Sequence, residues 1–156
     1  MRILGIAAYY HDASATLVID GKVIAAAQEE RFTRIKNDPS FPTNAIKYCL
    51  EEAGITLDML DAISYYEKPL LKFERILYSF LSEAPKGYWA FLKSMPTWIK
   101  QKLMIRKQIK SELKKIHNFN SKKIEFLFPS HHLSHAASAF YPSAFKKAAI
   151  LSLIHI

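Results

Sequence analysis

Alternation of apolar and polar positions divides the first part of the chain into short strand-like runs. Residues 2–8 (RILGIAA), 16–19 (TLVI) and 22–27 (KVIAAA) are apolar runs with the length of strands. Asp20-Gly21 separates the last two runs, and an Asp-Gly pair in this place favours a two-residue hairpin, because both central positions accept a positive φ. We therefore predict that the chain opens with three strands in an antiparallel meander.

A helix, a short second helix and a strand are predicted to follow a polar loop with the sequence EERFTRIKND. Apolar residues between Thr43 and Ala53 recur every three or four positions, which is the spacing of one helix face. Thr43 can cap this helix, and Gly54 suits the position just after its end. The short helix is predicted after Thr56, before a strand at 61–66 (DAISYY).

The second half of the chain is predicted to be mostly helical. Helical patterns cover residues 70–83 and 87–117, alternation indicates a strand at 123–128, a helix follows from His131 to Phe140 with Ser130 as its N-cap, and a buried strand is predicted at 148–154. Strands that alternate with helices are typical of an α/β fold with a mixed sheet. By analogy, this order of elements matches the first lobe of the actin-like and sugar-kinase ATPases, which have a ribonuclease-H-like core.

Composition is that of a folded domain with one strongly basic segment. Of the 156 residues, 50% are hydrophobic and the net charge is +8, which suits one globular domain or part of one. Residues 90–123 hold ten Lys or Arg and a single acidic residue, Glu112. Such a segment can bind nucleic acid or another acidic surface, but a solvated helix face is the simpler interpretation.

Cysteine content and hydropathy bear on the location of the protein. Cys49 is the only cysteine, so no internal disulfide can form, which fits a reducing compartment. No apolar run reaches the length of about 18 residues that a membrane helix needs. We therefore expect a cytoplasmic protein without a membrane partner.

His131 and His135 are the strongest candidates for metal ligands. Residues four apart lie on one face of a helix, so both imidazoles can bind a single first-row metal. The glutamate of the His-Glu-x-x-His proteases is missing, because residue 132 is a histidine. The alternative is a pair of histidines that pack against the preceding loop and its water.

Two further groups of residues could act on a substrate. His11 and Asp12 follow the first strand, where α/β proteins place their sites; a histidine can exchange a proton and an aspartate can orient it. Ser14 can donate a hydrogen bond to a phosphate. Arg31 and Arg34 could hold an anionic substrate, although a solvated loop of ion pairs is the simpler interpretation.

Three stretches together resemble the O-carbamoyltransferases of nodulation-factor and antibiotic biosynthesis. The first is the opening stretch, which begins with ILGIAAYYHDASATLVIDGKVIAAAQEERFTRIKNDPSFP and ends with CLEEAGI. The other two are YYEKPLLKFERIL and HHLSHAASAFYPSAFKKAAILSL. The resemblance implies an actin-like ATPase unit, followed in the family by a domain related to the threonylcarbamoyl-AMP synthases. That second domain makes carbamoyl-adenylate from carbamoyl phosphate and ATP, and the first unit passes the carbamoyl group to a small-molecule hydroxyl acceptor.

The same resemblance implies roles for individual residues. Iron or another divalent metal would be held by His131 and His135. His11 would lie beside the transfer site and could accept the proton of the acceptor hydroxyl, with Asp12 and Ser14 near nucleotide or substrate. Nucleic acid is not expected as a partner.

One departure from the family concerns the end of the chain. After the run AAILSL the family continues with Asp-Gly, and that aspartate is a further metal ligand; here Ile154 and His155 follow. We expect residues 1–156 to form a single truncated first lobe, inactive alone and able to self-associate through its exposed face. The alternatives are a relative of the tRNA threonylcarbamoyl-transfer proteins and a metal-binding remnant without catalysis.

Overall fold

Five strands form one mixed sheet in the order β3-β2-β1-β4-β5. The computed structural model describes residues 1–68 and 104–151, together with positions 78, 80, 82 and 89. The strands are β1 (Arg2–Ala7), β2 (Ser14–Ile19), β3 (Lys22–Gln28), β4 (Ala62–Tyr65) and β5 (Glu125–Leu127). The first three pair antiparallel, whereas β1, β4 and β5 run parallel. The predicted α/β fold, with its mixed sheet and antiparallel opening, is confirmed.

The helices are α1 (Glu30–Thr33), α2 (Thr43–Glu52), a 3-10 turn (Leu57–Met59), α3 (Ile105–Ile116) and α4 (His131–Phe140). Within the described residues, α2 and α3 cover one face of the sheet and bury an apolar cluster, whereas α4 lies beside the opposite, open face. Leu4 of β1, Leu17 of β2, Ile46 of α2 and Ile109 of α3 are fully buried in this cluster. Most basic side chains of α3 are exposed, and those of Arg106 and Lys110 lie over the ring of Phe126 at the edge of the cluster.

The hairpin and the helix bounds agree with the sequence pattern, with two corrections between residues 30 and 43. Asp20 and Gly21 both have positive φ, as the Asp-Gly signal requires. The polar run predicted as a loop contains the helical turn α1. Thr43 is the first residue of α2 rather than its cap, and Pro42 takes the N-cap position without a side-chain hydrogen bond. The cap of α2 is therefore supplied from elsewhere in the chain.

The predicted strand at 148–154 is wrong for the four residues that the structure describes. Residues 148–151 are exposed and have no strand pairing. An apolar run becomes a strand only where a neighbouring strand offers hydrogen-bond partners, and none lies against these four residues in the described ranges. The rest of that run lies outside the described residues. So do the predicted helix at 70–83, apart from positions 78, 80 and 82, and the 87–103 part of the next predicted helix, apart from position 89. Within the described residues, no helix combines the length and the apolar character needed to cross a membrane.

Candidate functional site

The two histidines of α4 meet on one face of the helix. The Nε2 atoms of His131 and His135 are 3.0 Å apart, and their rings stand nearly perpendicular at 87° with centroids 4.5 Å apart. Two imidazole nitrogens bound side by side to one first-row metal, at about 2.0–2.1 Å each, are roughly 2.8–3.4 Å apart. The shared face predicted from the spacing is confirmed, and the separation fits a common metal ion.

No complete set of metal ligands comes together in the described ranges. In residues 1–68 and 104–151 no group of three or more His, Cys, Asp or Glu side chains converges on one point. Ile154 and His155 lie outside the described residues. The histidine pair thus fits two positions of a metal's ligand set.

Ser134 attaches the histidine helix to the sheet. Its Oγ donates a hydrogen bond to the carbonyl oxygen of Tyr66, which directly follows β4, at 3.0 Å. The edge of the Tyr66 ring also contacts the ring of His131, with centroids 5.7 Å apart. Ser130 lies at the predicted N-cap position with extended backbone, but its side chain makes no capping bond. Contacts with Tyr66, rather than a cap, therefore fix the first turn of α4.

His11 and Asp12 form a hydrogen-bonded pair in the loop after β1. Nδ1 of His11 lies 2.7 Å from Oδ2 of Asp12, and the two side chains are 59% and 41% exposed. Asp12 has a φ of 52°, in the left-handed region that most residues avoid. The aspartate can orient the imidazole as predicted, and the bond to Nδ1 leaves Nε2 to exchange a proton.

The two histidine groups follow strands that end at the same edge of the sheet. Because β1, β4 and β5 are parallel, their carboxyl ends lie at one edge of the sheet. The loop of His11 follows β1, Tyr66 follows β4, and α4 with His131 follows β5. Burial raises the pKa of Tyr66, and a hydrogen bond with Tyr65 partly offsets this rise. Tyr66 contacts the helix of His131 and directly follows β4, the strand that pairs with β1.

A cleft of about 510 Å³ separates α4 from the open face of the sheet. Hydroxyl groups from β2 and β4 line it, and so does the Ser134 side of the helix. The lining includes Gly5, Ser14, Thr16, Ser64, Tyr66, Leu133, Ser134 and Ser138. Ser14 is the first residue of β2, although the pattern placed that strand two residues later. The cleft joins Ser14 to the helix of the histidine pair, a relation that no motif in the sequence indicates.

Arg31 and Arg34 lie elsewhere on the surface. Arg31 is exposed, contacts Glu30 at 3.8 Å and borders a separate groove that also reaches Ser14. Arg34 ends α1 with a φ of 61° and is exposed. Neither is among the residues that line the cleft beside α4.

Glu29 is a buried carboxylate that sequence reasoning missed. It is only 2% exposed, whereas the pattern placed it in a solvated loop of ion pairs. Its oxygens accept hydrogen bonds from the backbone N–H of Asn44 at 3.1 Å and of Ala45 at 2.9 Å, and from Nδ2 of Asn44 at 2.8 Å. Glu29 is thus the missing cap of α2. No local signal reveals it, because the carboxylate and the helix start are fifteen positions apart.

A family model described as "Carbamoyltransferase N-terminus" matches residues 2–156. The chain belongs to the carbamoyltransferase family, as its N-terminal part. The resemblance seen in the sequence is thereby confirmed.

Curated relatives of this carbamoyltransferase chain are longer proteins. It is 51% identical over 152 residues to "Uncharacterized protein sll1178" of Synechocystis, a match that covers 97% of this chain and 25% of the relative. It is 37% identical over 148 residues to "Nodulation protein NolNO" of Sinorhizobium fredii, a match that covers 93% of this chain and 19% of the relative. The chain thus spans about a quarter and a fifth of the lengths of these two relatives.

Proposed function

We propose that this chain is the part of an O-carbamoyltransferase that holds a divalent metal and takes the proton from the acceptor hydroxyl. The observation that carries the proposal is the 3.0 Å separation of the two Nε2 atoms of His131 and His135. That pair and the His11–Asp12 pair both come after strands that end at the same edge of the sheet. Both groups are therefore able to serve one reaction. The mixed sheet and its element order support a lobe of the actin-like, ribonuclease-H-like type.

His131 and His135 would hold the metal through their Nε2 atoms. Iron or another divalent ion, when bound, would supply positive charge that stabilises phosphate oxygens and a developing oxyanion. Ser134 keeps the helix against β4, and the Tyr66 ring packs against His131. The first turn of α4 is therefore held in place before a metal arrives.

His11 is the proposed proton acceptor. In the transfer step the acceptor oxygen forms a bond to the carbamoyl carbon of carbamoyl-adenylate, the bond from that carbon to the phosphate oxygen breaks, and AMP leaves. The hydroxyl proton passes to Nε2 of His11, while Asp12 fixes the ring through Nδ1 at 2.7 Å. The carbamoyl-adenylate itself would come from carbamoyl phosphate and ATP in another part of the longer protein.

The cleft beside α4 is the proposed place for nucleotide or substrate. Ser14 and Ser64 offer hydroxyl donors on its floor, and Ser134 borders it from the helix. Neither Arg31 nor Arg34 lines this cleft, although the groove beside Arg31 shares Ser14 with it. We expect the serines to matter more for nucleotide or substrate binding than the two arginines.

The 156 residues alone are proposed not to complete the transfer. Catalytic metal sites usually have three protein ligands, and the described ranges bring only His131 and His135 together. Metal should therefore bind weakly and in less than equimolar amount after dialysis. Tight equimolar iron or zinc in the purified chain would contradict this.

The histidine assignment is tested by substitution. Cobalt(II) is titrated into the wild-type chain and into His131→Ala, His135→Ala and His132→Ala variants, and binding is followed by absorption and calorimetry. The first two changes should abolish measurable binding, while His132→Ala, a neighbour on a different side of the helix, should retain it. The first two changes are then made in a full-length carbamoyltransferase that has both histidines. Retention of metal and of carbamoyl transfer there would refute the proposal.

A further inference from the structure

The loop that carries His11 is attached to the rest of the protein at both ends. The backbone N–H of Tyr9 donates to the carbonyl oxygen of Pro39 at 2.8 Å, and the backbone N–H of Ala13 donates to the carbonyl oxygen of Asp38 at 2.9 Å. The carbonyl oxygen of Ala13 accepts a third bond, from the N–H of Glu29 at 2.7 Å. Two consecutive residues, 38 and 39, thus hold both ends of a five-residue loop.

The loop needs such support because its backbone is unfavourable. Tyr9 and Asp12 have φ values of 67° and 52°, in the left-handed region. For a residue with a side chain this conformation costs about 1–2 kcal/mol, and it persists only where surrounding contacts impose it. His11 lies between these two residues, so their conformation decides where its ring points.

The supporting segment is itself fixed by a buried carboxylate. Asp38 is 4% exposed, and its Oδ2 accepts a hydrogen bond from Oγ1 of Thr33 at 2.7 Å. Its Oδ1 accepts a bond from the N–H of Ser40 at 2.9 Å. Thr33 is the last residue of α1, the helical turn that Glu29 precedes. A path of direct contacts therefore runs from α1 through Asp38 to the loop of His11.

We propose that Thr33 and Asp38 are positioning residues, which hold the loop of Tyr9–Ala13 so that His11 presents Nε2 to the reacting hydroxyl. The inference rests on the proposed role of His11 as proton acceptor. Neither residue reaches the reaction itself. Asp38 acts through its backbone carbonyl, and Thr33 acts through the carboxylate that keeps that carbonyl in place.

The test uses a matched pair of substitutions at one position. Thr33→Val keeps the shape of the side chain and removes the donor to Asp38, whereas Thr33→Ser keeps the donor. In a full-length carbamoyltransferase with these motifs, Thr33→Val should lower kcat for transfer by about 10- to 100-fold, the range expected for a misplaced catalytic group. The KM for the acceptor should change less than about twofold, and Thr33→Ser should restore most of kcat.

A spectroscopic measurement on the 156-residue chain separates positioning from general stability. In Thr33→Val the imidazole NMR signals of His11 should shift, while those of His131 stay in place. A residue with a merely structural role would lower the melting temperature without this selective change. Unchanged His11 signals, or transfer at the wild-type rate, would overturn the proposal.

Amide exchange in the wild-type chain keeps the proposal testable if Thr33→Val does not fold. The N–H groups of Tyr9 and Ala13 should exchange slowly, and those of His11 and Asp12 quickly. Fast exchange at Tyr9 and Ala13 would refute the positioning role.

His11→Ala in the full-length protein tests the proposed function separately. If that change leaves transfer intact, the role of His11 fails. If it abolishes transfer while Thr33→Val does not, only the positioning inference fails.

Discussion

Ser134 donates a hydrogen bond from Oγ to the carbonyl oxygen of Tyr66 at 3.0 Å, and this contact attaches α4 to the end of β4. The donor lies between His131 and His135 in sequence, and the acceptor residue packs its ring against His131. One serine therefore sets how the histidine pair sits against the sheet. Groups that orient metal ligands in this way usually affect metal affinity as well as structure.

Replacing Ser134 by alanine should weaken metal binding by about tenfold, at the lower end of the range for lost outer-shell contacts. Competition titration with a chromogenic chelator measures this effect on cobalt(II) affinity. Ser138→Ala is the matched control, because that hydroxyl donates a hydrogen bond within the helix, to the carbonyl oxygen of His135 at 2.8 Å. Equal affinity of both variants would show that the contact with Tyr66 does not orient the ligands.

Glu29 should contribute more to stability than any exposed acid nearby. Its carboxylate accepts three hydrogen bonds at the start of α2, and Glu29→Gln turns an amide N–H₂ toward some of those donors. We expect the free energy of unfolding to fall by about 1–3 kcal/mol, the usual cost of leaving a buried polar group unpaired. Urea unfolding measures it. Asn44→Ala removes only the side-chain donor, so it should lower the free energy of unfolding by less than Glu29→Gln does. A larger loss for Asn44→Ala would contradict the capping role.

The stability of the fold should depend on the ionisation of Asp38. Hydrogen bonds from Ser40, and then from Thr33, hold the pKa of this carboxyl below its ordinary value. A lowered pKa in the folded state means that the carboxylate stabilises the fold above the unfolded pKa of about 3.9. That contribution is lost as the pH falls through the lower folded value.

Asp38→Asn should therefore be less stable than the wild type at pH 7, and the difference should narrow as the pH falls below the unfolded pKa of about 3.9. Urea unfolding at several pH values measures this difference. Glu52→Gln, a change at an exposed position of α2, serves as control and should show a nearly constant difference. If the stability difference between the wild type and Asp38→Asn stayed the same at acidic pH, a role for the charge of Asp38 would be excluded.

Local patterns predicted the elements well, because the signals that define them act over a few residues. The Asp20-Gly21 hairpin, the apolar stripe of α2 and the bounds of α4 all depend on neighbours within one turn. The four-residue spacing likewise brought His131 and His135 together. The proximity of the two imidazole nitrogens was thus predictable, because a single helix provides both.

Contacts between distant segments were not predictable from the same patterns. Glu29 looked like a solvated charge, since nothing near it in sequence indicates that it caps a helix fifteen positions away. The approach of Ser14 to α4, and of Tyr66 to His131, depends on how five strands are ordered in the sheet. The residues that support the candidate site were therefore harder to find than its histidines.

The basic helix α3 provides a test of which of its faces matters. Ile109 is fully buried against the sheet core, whereas Lys107, two residues earlier, is exposed. Ile109→Ala should lower the free energy of unfolding by about 2–5 kcal/mol, because it removes buried methyl groups and leaves a cavity. Lys107→Ala should change it by less than about 0.5 kcal/mol. Urea unfolding of both variants measures the two effects, and a small loss for Ile109→Ala would show that α3 does not pack on the sheet as described.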